Sequence, residues 1–283
     1  MGASAMNDNA ARPPRLKAPA GACDTHMHFY DSRYPTAATA VFTPPEASVE
    51  DYRRIQQRLG LARTVVVQPS TYGTDNRCTL DGIATLGLDR ARGVAVVDDG
   101  ATDAELEELT RGGMRSVRFH MLRGGALSWD RLDRIADRVQ GVGWHVQLQL
   151  DGRDLPDHVA QVRRWPGQVV IDHVGKFLEP VAPDHPTFRC LAGLVESGRV
   201  WIKLSAPYEV SKEGPPLYGD VGRLAKELIR IAPERMLWAS NWPHPGHPAQ
   251  DEAVLLDVLL DWAPDEAVRR KILVDNPAAL YGF

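Results

Sequence analysis

Two short motifs at opposite ends of the chain contain residues that could act on a substrate. The first, Asp24-Thr25-His26-Met27-His28, ends an apolar run. Alternation along a strand would place His26 and His28 on one face, where two imidazoles could move protons or bind a metal ion. The second contains Asn241, which closely follows the apolar residues 236–239. An amide cannot take a proton from water near neutral pH, so position 241 lacks a general base.

Other apolar runs also end in polar residues that suit a binding site. They are Ser70, Tyr72, Arg118, Arg123, Gln149 and His173. A buried polar group needs a hydrogen-bond partner or a ligand, so this distribution is typical of a polar pocket. Each residue also has a structural interpretation, since a histidine could be hydrogen-bonded in the core and Asn241 could form a turn. Their joint position at the ends of runs favours the functional interpretation.

The runs that position these residues predict eight short strands. They are residues 22–28, 64–70, 93–97, 114–120, 145–150, 169–174, 200–205 and 236–241. Several are apolar throughout, as parallel strands covered on both faces are. Helical patterns lie between them, which favours an α/β fold of the (β/α)8 TIM-barrel type. The alternative, an open doubly wound sheet, would usually show a glycine-rich turn after its first strand, where Asp24-Thr25-His26 stands.

Capping residues and apolar spacing predict at least five helices between the strands. They are residues 48–59, 74–87, 102–110, 217–231 and 265–273, the first three with Ser48, Thr74 and Thr102 as N-caps. In a barrel of this kind the active site lies at the carboxyl ends of the strands. The polar residues at the ends of the runs are therefore expected to meet in one place.

Composition limits the class of protein. The chain has 283 residues, a net charge of −4 and no apolar run long enough for a membrane helix, which argues against nucleic acid or membrane partners. Residues 1–20 are predicted to be a flexible arm, and residues 21–283 a single domain. The arm lacks a signal-peptide pattern, and the three cysteines have no metal-binding spacing. We therefore expect a cytoplasmic protein that acts on a small molecule.

The motifs resemble those of the amidohydrolase superfamily. The similar residues are Asp24 to His28, Ile171-Asp172-His173, Ala239 to Pro245 and Asn276-Pro277. The similarity extends over nearly the whole chain from Gly21. Gln68-Pro69-Ser70, residues 73–76, residues 112–115, Arg118-Phe119 and residues 242–245 most resemble the 2-pyrone-4,6-dicarboxylate lactonase and D-galactarolactone isomerase families. The resemblance implies a metal-dependent-hydrolase-like barrel with a small carboxylated lactone in its mouth.

The chain departs from that family pattern at two positions. The hydrolases activate water with a strand-8 aspartate, where Asn241 stands here, and the lactonase has a tyrosine where Gln149 stands. Both departures count against simple lactone hydrolysis. The resemblance also raises the question of metal, and His26, His28 and His173 could hold one zinc ion. Without the strand-8 carboxylate or a strand-4 lysine, we expect no cofactor and no catalytic metal, with that single zinc ion as the lesser alternative.

The resemblance then implies a sugar-acid lactone isomerase that converts D-galactaro-1,5-lactone to D-galactaro-1,4-lactone by intramolecular acyl transfer. The expected catalytic residues are His26, His28, His173 and Asn241, and the expected substrate-binding residues are Ser70, Tyr72, Arg118, Arg123 and Gln149. The imidazoles would act as acid and base because they titrate near working pH. Asn241 would orient a hydroxyl or donate a hydrogen bond to the carbonyl oxygen, and the arginines would hold the carboxylate.

Three alternatives to the isomerase remain open. The first is a hydrolase of a small carboxylated lactone, such as 2-pyrone-4,6-dicarboxylate, with a histidine as the water base. The second is a sugar-acid-binding protein without catalytic activity. The third is a non-oxidative decarboxylase, which would be expected to need a metal ion.

Overall fold

The computed structural model describes residues 12–283, which form an eight-stranded parallel barrel. Its strands are β1 Cys23–Met27, β2 Arg63–Val67, β3 Ala91–Ala95, β4 Met114–His120, β5 His145–Gln149, β6 Val169–Ile171, β7 Val200–Leu204 and β8 Met236–Trp238. Each strand pairs with the next one along the chain. After β8 the chain returns to β1, where Asn241 N donates to His26 O at 2.8 Å. This order confirms the predicted (β/α)8 barrel and excludes the doubly wound sheet, whose strand order reverses.

The barrel interior is apolar at one level and polar at another. A separate buried apolar cluster consists of Cys23, Val65, Val67, Val94, Val170, Trp201, Leu237 and Tyr281. Alternate residues of the strands contribute to it, as the two-residue period of a strand requires. Nearer the carboxyl ends, the inward positions change to polar residues such as His26, Gln147 and Lys203, all fully buried. The apolar cluster therefore closes one end of the barrel beneath a polar site.

Helices surround the barrel. They are α1 Val49–Leu59, α2 Arg77–Leu86, α3 Asp103–Arg111, α4 Trp129–Gln140, α5 Leu155–Arg164, α6 Pro186–Glu196, α7 Gly219–Ile231, α8 Glu252–Asp257, α9 Leu259–Trp262, α10 Glu266–Arg270 and α11 Asn276–Tyr281, with a π-helical turn Lys271–Asp275 before the last. α4 shows why they pack as they do, because its buried residues Leu132, Ile135, Ala136 and Val139 recur at three- and four-residue spacing.

Capping residues set where several helices begin. Ser48 Oγ accepts from Asp51 N and the Asp51 carboxylate accepts from Ser48 N, a capping box that confirms Ser48 as the predicted N-cap of α1. Thr102 forms the same box at α3. The prediction for Thr74 is wrong, since α2 begins at Arg77 after the N-cap Asn76. The Asn76 side chain instead bonds the backbone N and O of Val96, which ties this turn to the residue directly after β3.

The described part of the predicted arm lies against the barrel. Leu16 is buried, its backbone N donates to Asp257 Oδ1 at 2.8 Å, and Arg15 Nε donates to Asp257 Oδ2 at 3.0 Å. Arg15 and Leu16 are therefore held against the barrel, although most of residues 12–20 are exposed. The flexible arm stays a prediction for residues 1–11, which lie outside the described residues. Within residues 12–283, no helix has the length and apolar character needed to cross a membrane.

Candidate active site

A cavity of about 160 Å³ opens at the carboxyl ends of the strands, where active sites of such barrels lie. Seven of the nine predicted site residues line it: His28, Ser70, Arg118, Arg123, Gln149, His173 and Asn241. Tyr30, Val41, Phe42, Pro69, His120, Lys176, Glu209 and Pro245 complete the lining. The volume is below the roughly 300–1,000 Å³ of sites for drug-sized ligands. The cavity therefore suits a smaller molecule.

The two other predicted site residues do not line the cavity. His26 is fully buried beneath it, against the rings of His28 and His173. The Tyr72 hydroxyl accepts from Asp31 N at 2.9 Å and donates to Asp31 O at 3.0 Å, which holds the loop after β1. Tyr72 is thus satisfied away from the cavity, and Tyr30 is the tyrosine that lines it.

Three larger depressions lie elsewhere: one of about 390 Å³ between α2 and α3, one of about 590 Å³ beside Gly21 and Arg63, and one of about 340 Å³ beside Tyr34 and Glu46. Of the residues that line them, none has a buried side-chain atom without a hydrogen-bond partner. At the barrel mouth, Arg118 Nε and His120 Nδ1 are buried and have none. Unsatisfied buried polar atoms call for a ligand or water, so the barrel mouth is the better candidate despite its smaller volume.

The three predicted histidines lie together. A register shift in β1 lies between Asp24 and Met27, the stretch that contains His26. The ring centroids of His26 and His28 are 4.9 Å apart, and those of His26 and His173 are also 4.9 Å apart. His26 therefore packs beneath both cavity histidines and helps to hold their rings in place.

Burial keeps these imidazoles uncharged. It lowers the pKa of His28 to about 3, and it lowers the pKa values of His26 and His173 well below the usual range. The expectation that they titrate near working pH is therefore wrong, because the imidazolium form would be desolvated. His28 Nδ1 lies 2.7 Å from the carbonyl oxygen of Val67, which can only accept, so Nδ1 bears the proton and Nε2 keeps its lone pair. His173 Nδ1 lies 2.8 Å from Ser205 Oγ.

A layer of charged groups lies beneath the cavity. Lys203 Nζ donates to Gln147 Oε1 at 2.6 Å and lies 3.4 Å from His26 Nδ1, while Gln147 Nε2 donates to Asp172 Oδ2 at 3.1 Å. Burial lowers the pKa of Lys203 to about 8. Burial opposes the charge of Asp172, but the positive charges around it, Lys203 first, outweigh burial and lower its pKa. Asp172 is thus an ionised carboxylate held between cations.

Three residues at the base of the cavity have the atom types of a metal site, but their surroundings do not suit a divalent ion. Potential ligand atoms of His26, Asp172 and His173 lie within 4.8 Å of one another, a set that contains a carboxylate in place of the third predicted histidine. His26 Nε2 and Asp172 Oδ1 also lack hydrogen-bond partners. However, Lys203 Nζ and Arg118 Nε already lie 3.7 and 4.0 Å from the Asp172 carboxylate. A divalent ion would add charge to a buried group that is already net positive, so these residues do not fit one.

Arg118 is the buried cation of the cavity wall. Its NH1 donates to Gln68 O at 2.9 Å and its NH2 donates to Gln149 Oε1 at 2.6 Å. Each of these nitrogens has a second hydrogen that these bonds do not use, which leaves a fork for an anion. Arg123 lines the same cavity. Gln149 therefore positions Arg118 in addition to lining the cavity.

Asn241 presents its carbonyl oxygen. Its Nδ2 donates to Tyr208 OH at 2.8 Å and to Glu209 Oε1 at 3.1 Å, which uses both amide hydrogens. The orientation is settled by Glu209, since a carboxylate oxygen accepts and cannot donate. The remaining Oδ1 can accept from a ligand hydroxyl. This supports the predicted role of orienting a hydroxyl and opposes the predicted donation to a carbonyl oxygen.

A hydrogen-bond chain fixes that amide. His244 Nε2 lies 3.1 Å from Glu252 Oε1, so it bears the proton, and His244 Nδ1 accepts from Tyr208 OH at 3.0 Å. Burial raises the pKa of Tyr208 well above its usual value, so the phenol keeps the proton that it donates. The Tyr208 oxygen is then free to accept from Asn241. Glu252, His244 and Tyr208 thus form a chain that holds the Asn241 amide in one orientation.

Besides Tyr30, the lining contains three charged or titratable residues that were not predicted as site residues, Lys176, Glu209 and His120. Lys176 and Glu209 form an ion pair across the cavity rim, from the loops after β6 and β7. His120 ends β4, and burial lowers its pKa to about 3. Its position at the end of a strand was a usable signal. Lys176 and Glu209 had none, because loops place them.

Comparisons with known proteins agree with this fold. Residues 23–283 match the model of a protein family described as Amidohydrolase. The chain is 36% identical over 276 residues to the D-galactarolactone isomerase of Agrobacterium fabrum, covering 95% of this chain and 93% of that protein. It is 36% identical over 282 residues to a 2-pyrone-4,6-dicarboxylate hydrolase of Comamonas testosteroni, covering 95% and 92%. An apo crystal structure from Agrobacterium tumefaciens, 36% identical, superimposes with a TM-score of 0.90 and covers 95% of this chain and 98% of that one. This chain belongs to the amidohydrolase family.

Proposed function

We propose that this enzyme is a sugar-acid lactone isomerase that converts D-galactaro-1,5-lactone to D-galactaro-1,4-lactone. The supporting observation is Asn241, a cavity amide whose nitrogen is held by Tyr208 and Glu209 and whose oxygen remains available. Such a group holds a hydroxyl but cannot take a proton from water. It suits a reaction whose nucleophile is a hydroxyl of the substrate. The identity to the D-galactarolactone isomerase of Agrobacterium fabrum supports the same reaction.

The proposed chemistry is an intramolecular acyl transfer. The C4 hydroxyl attacks the C1 carbonyl, the bond from C1 to O5 breaks, and a six-membered ring becomes a five-membered ring. Because both reacting groups belong to one bound molecule, positioning supplies much of the rate, and effective molarities of about 10⁵–10⁸ M are known for well-oriented cases. Asn241 Oδ1 would hold the attacking hydroxyl.

The substrate carboxylate would bind to the arginines. At neutral pH the cavity histidines are uncharged, so Arg118, Arg123 and Lys176 supply the positive charge of the lining and Glu209 the negative charge. Lys176 is paired with Glu209, which leaves the two arginines for an anion. Arg118 has unused hydrogens on both terminal nitrogens and suits a bidentate grip.

We also propose that the enzyme works without a metal ion, which the two cations beside Asp172 support. The lesser alternative, one zinc ion at His26, His28 and His173, would need these buried charges to rearrange. A cytoplasmic role in D-galacturonate catabolism is part of the same proposal. The free thiols of Cys23, Cys78 and Cys190 support a reducing compartment.

Proton NMR of the chelator-treated enzyme with freshly prepared D-galactaro-1,5-lactone tests the proposal. Formation of the 1,4-lactone ahead of the uncatalysed rate is the expected result. Formation of open galactarate instead would identify a hydrolase, and absence of both products would refute a lactone substrate of this kind. The hydrolase alternative has one specific support, because the two arginines of the lining also suit the two carboxylates of a dicarboxylate. A parallel assay with 2-pyrone-4,6-dicarboxylate separates the two.

A further inference from the structure

Isomerisation of a lactone requires one proton to move and consumes none. The proton leaves O4 of the substrate as O4 bonds to C1, and O5 needs a proton as it departs. Both oxygens are bonded to C1 in the tetrahedral intermediate, so one group beside C1 can serve both. The cavity histidines are weak bases here, since burial lowers the pKa of His28 to about 3 and the pKa of His173 well below its usual value.

Glu209 is the single carboxylate among the cavity-lining residues of the described chain. It ends the short turn Pro207–Glu209 that follows β7, and 13% of its side chain is exposed. Its Oε1 accepts from Asn241 Nδ2 and its Oε2 accepts from Lys176 Nζ. Each carboxylate oxygen has two lone pairs, so both oxygens can still accept a proton.

The contact with Asn241 places this carboxylate where a proton would be released. Glu209 bonds the nitrogen of the same amide whose oxygen is available to the substrate hydroxyl. A hydroxyl held by Asn241 Oδ1 would therefore share the cavity with Glu209, which bonds the nitrogen of the same amide. Lys176 and Arg118 bring positive charge towards the carboxylate from two other elements, and Tyr208 lies beside it on its own turn.

We propose that Glu209 is the general base and the general acid of the isomerisation, an inference that rests on the proposed function. Glu209 takes the O4 proton while the bond from O4 to C1 forms and the carbonyl electrons move to its oxygen. The carbonyl then re-forms, the bond from C1 to O5 breaks, and Glu209 returns the proton to O5. The carboxylate is regenerated, and no water or other reactant is consumed.

Glu209→Gln is the decisive variant, because glutamine can still accept from Asn241 but cannot carry the proton. We expect kcat to fall by about 10²–10⁴-fold, the usual contribution of a general base, with KM changed by less than about threefold. Glu209→Asp keeps a carboxylate and should recover part of kcat. The matched control is Glu213→Gln, an exposed residue of the same loop that pairs with Arg223, and it should behave as the wild type.

The kinetic results of the wild type and the variants separate failure of this inference from failure of the proposed function. If the wild type isomerises the lactone and Glu209→Gln retains kcat within about threefold, Glu209 is not the base, although the isomerase stands. If the wild type forms no 1,4-lactone, the proposed function fails first. Calorimetry with D-galactarate as the probe shows whether each variant keeps a folded binding site. Should Glu209→Gln not fold, a Glu209→Asp variant that folds and has no more than 1% of wild-type kcat would also overturn the inference.

Discussion

Replacing Asn241 by aspartate tests whether the amide suppresses hydrolysis. Asn241→Asp puts a carboxylate oxygen where Nδ2 now lies, 3.1 Å from Glu209 Oε1. Two negative charges at that distance repel by roughly 5 kcal/mol at an effective dielectric constant of about 20. Each 1.4 kcal/mol is about a tenfold change in an equilibrium constant. The equilibrium constant for binding one proton to the pair should therefore rise by more than about a thousandfold. The variant site then holds one proton between two carboxyl groups.

When that proton is on Glu209, the aspartate oxygen that replaces Oδ1 is a carboxylate oxygen directed at the ligand, and it can accept a proton from a water bound in place of the substrate hydroxyl. The wild-type amide offers no base at that position, because Glu209 lies on its nitrogen side. Open galactarate should therefore appear beside the 1,4-lactone, and proton NMR of the reaction records both products at once. Asn241→Ala is the control that removes the amide without adding a base, and it should lose isomerisation without gaining hydrolysis. The double variant Asn241→Asp with Glu209→Gln removes the repulsion and should favour galactarate further. A folded Asn241→Asp enzyme that forms no galactarate would refute this account of the residue.

Three further perturbations test the surroundings of the site. Lys203→Met should raise the affinity for zinc at pH 7 about tenfold or more, as measured by calorimetry. The reason is that the ion would no longer have to displace the proton of a lysine whose pKa is about 8. An unchanged affinity would contradict this reasoning. Between pH 8 and 10.5, Lys203 keeps its proton in the unfolded protein but loses it in the folded protein. The free energy of unfolding of the wild type, measured with urea, should therefore rise over this range by up to about 3 kcal/mol relative to Lys203→Met. Tyr208→Phe removes an acceptor of the Asn241 amide and should lower the free energy of unfolding by about 1 kcal/mol. It should also lower kcat. A wild-type kcat would show that this hydrogen bond does not orient the amide.

The elements were predictable because their signals are local. β4 runs from Met114 to His120, as its apolar run predicts. The capping box of α1 joins Ser48 and Asp51, which are three residues apart in the sequence. Strands that alternate with helices leave few topologies, and a barrel is the one that needs no reversal of strand order. Fold and strand-end residues therefore followed from short stretches of sequence.

The composition of the cavity was less predictable because loops decide it. Tyr72 follows the strand-end Ser70 by two residues, but the turn between them sends its hydroxyl to Asp31. Glu209 and Lys176 meet across 33 positions of sequence, and no local pattern marks either. The protonation of the histidines was also misjudged from residue type, since their pKa values depend on burial that only the packed barrel shows.

The buried layer explains how such a site can stay polar while doing limited chemistry. Asp172 is fully buried, and an uncompensated carboxylate there would be costly. Lys203 of β7 and Arg118 of β4 compensate it with cations that the strands hold in place. A fixed ammonium supplies charge but offers no open coordination position at which water could be activated, unlike a catalytic metal ion. The cavity above it then has to rely on positioning and on one carboxylate, Glu209, which is enough when the nucleophile already belongs to the substrate.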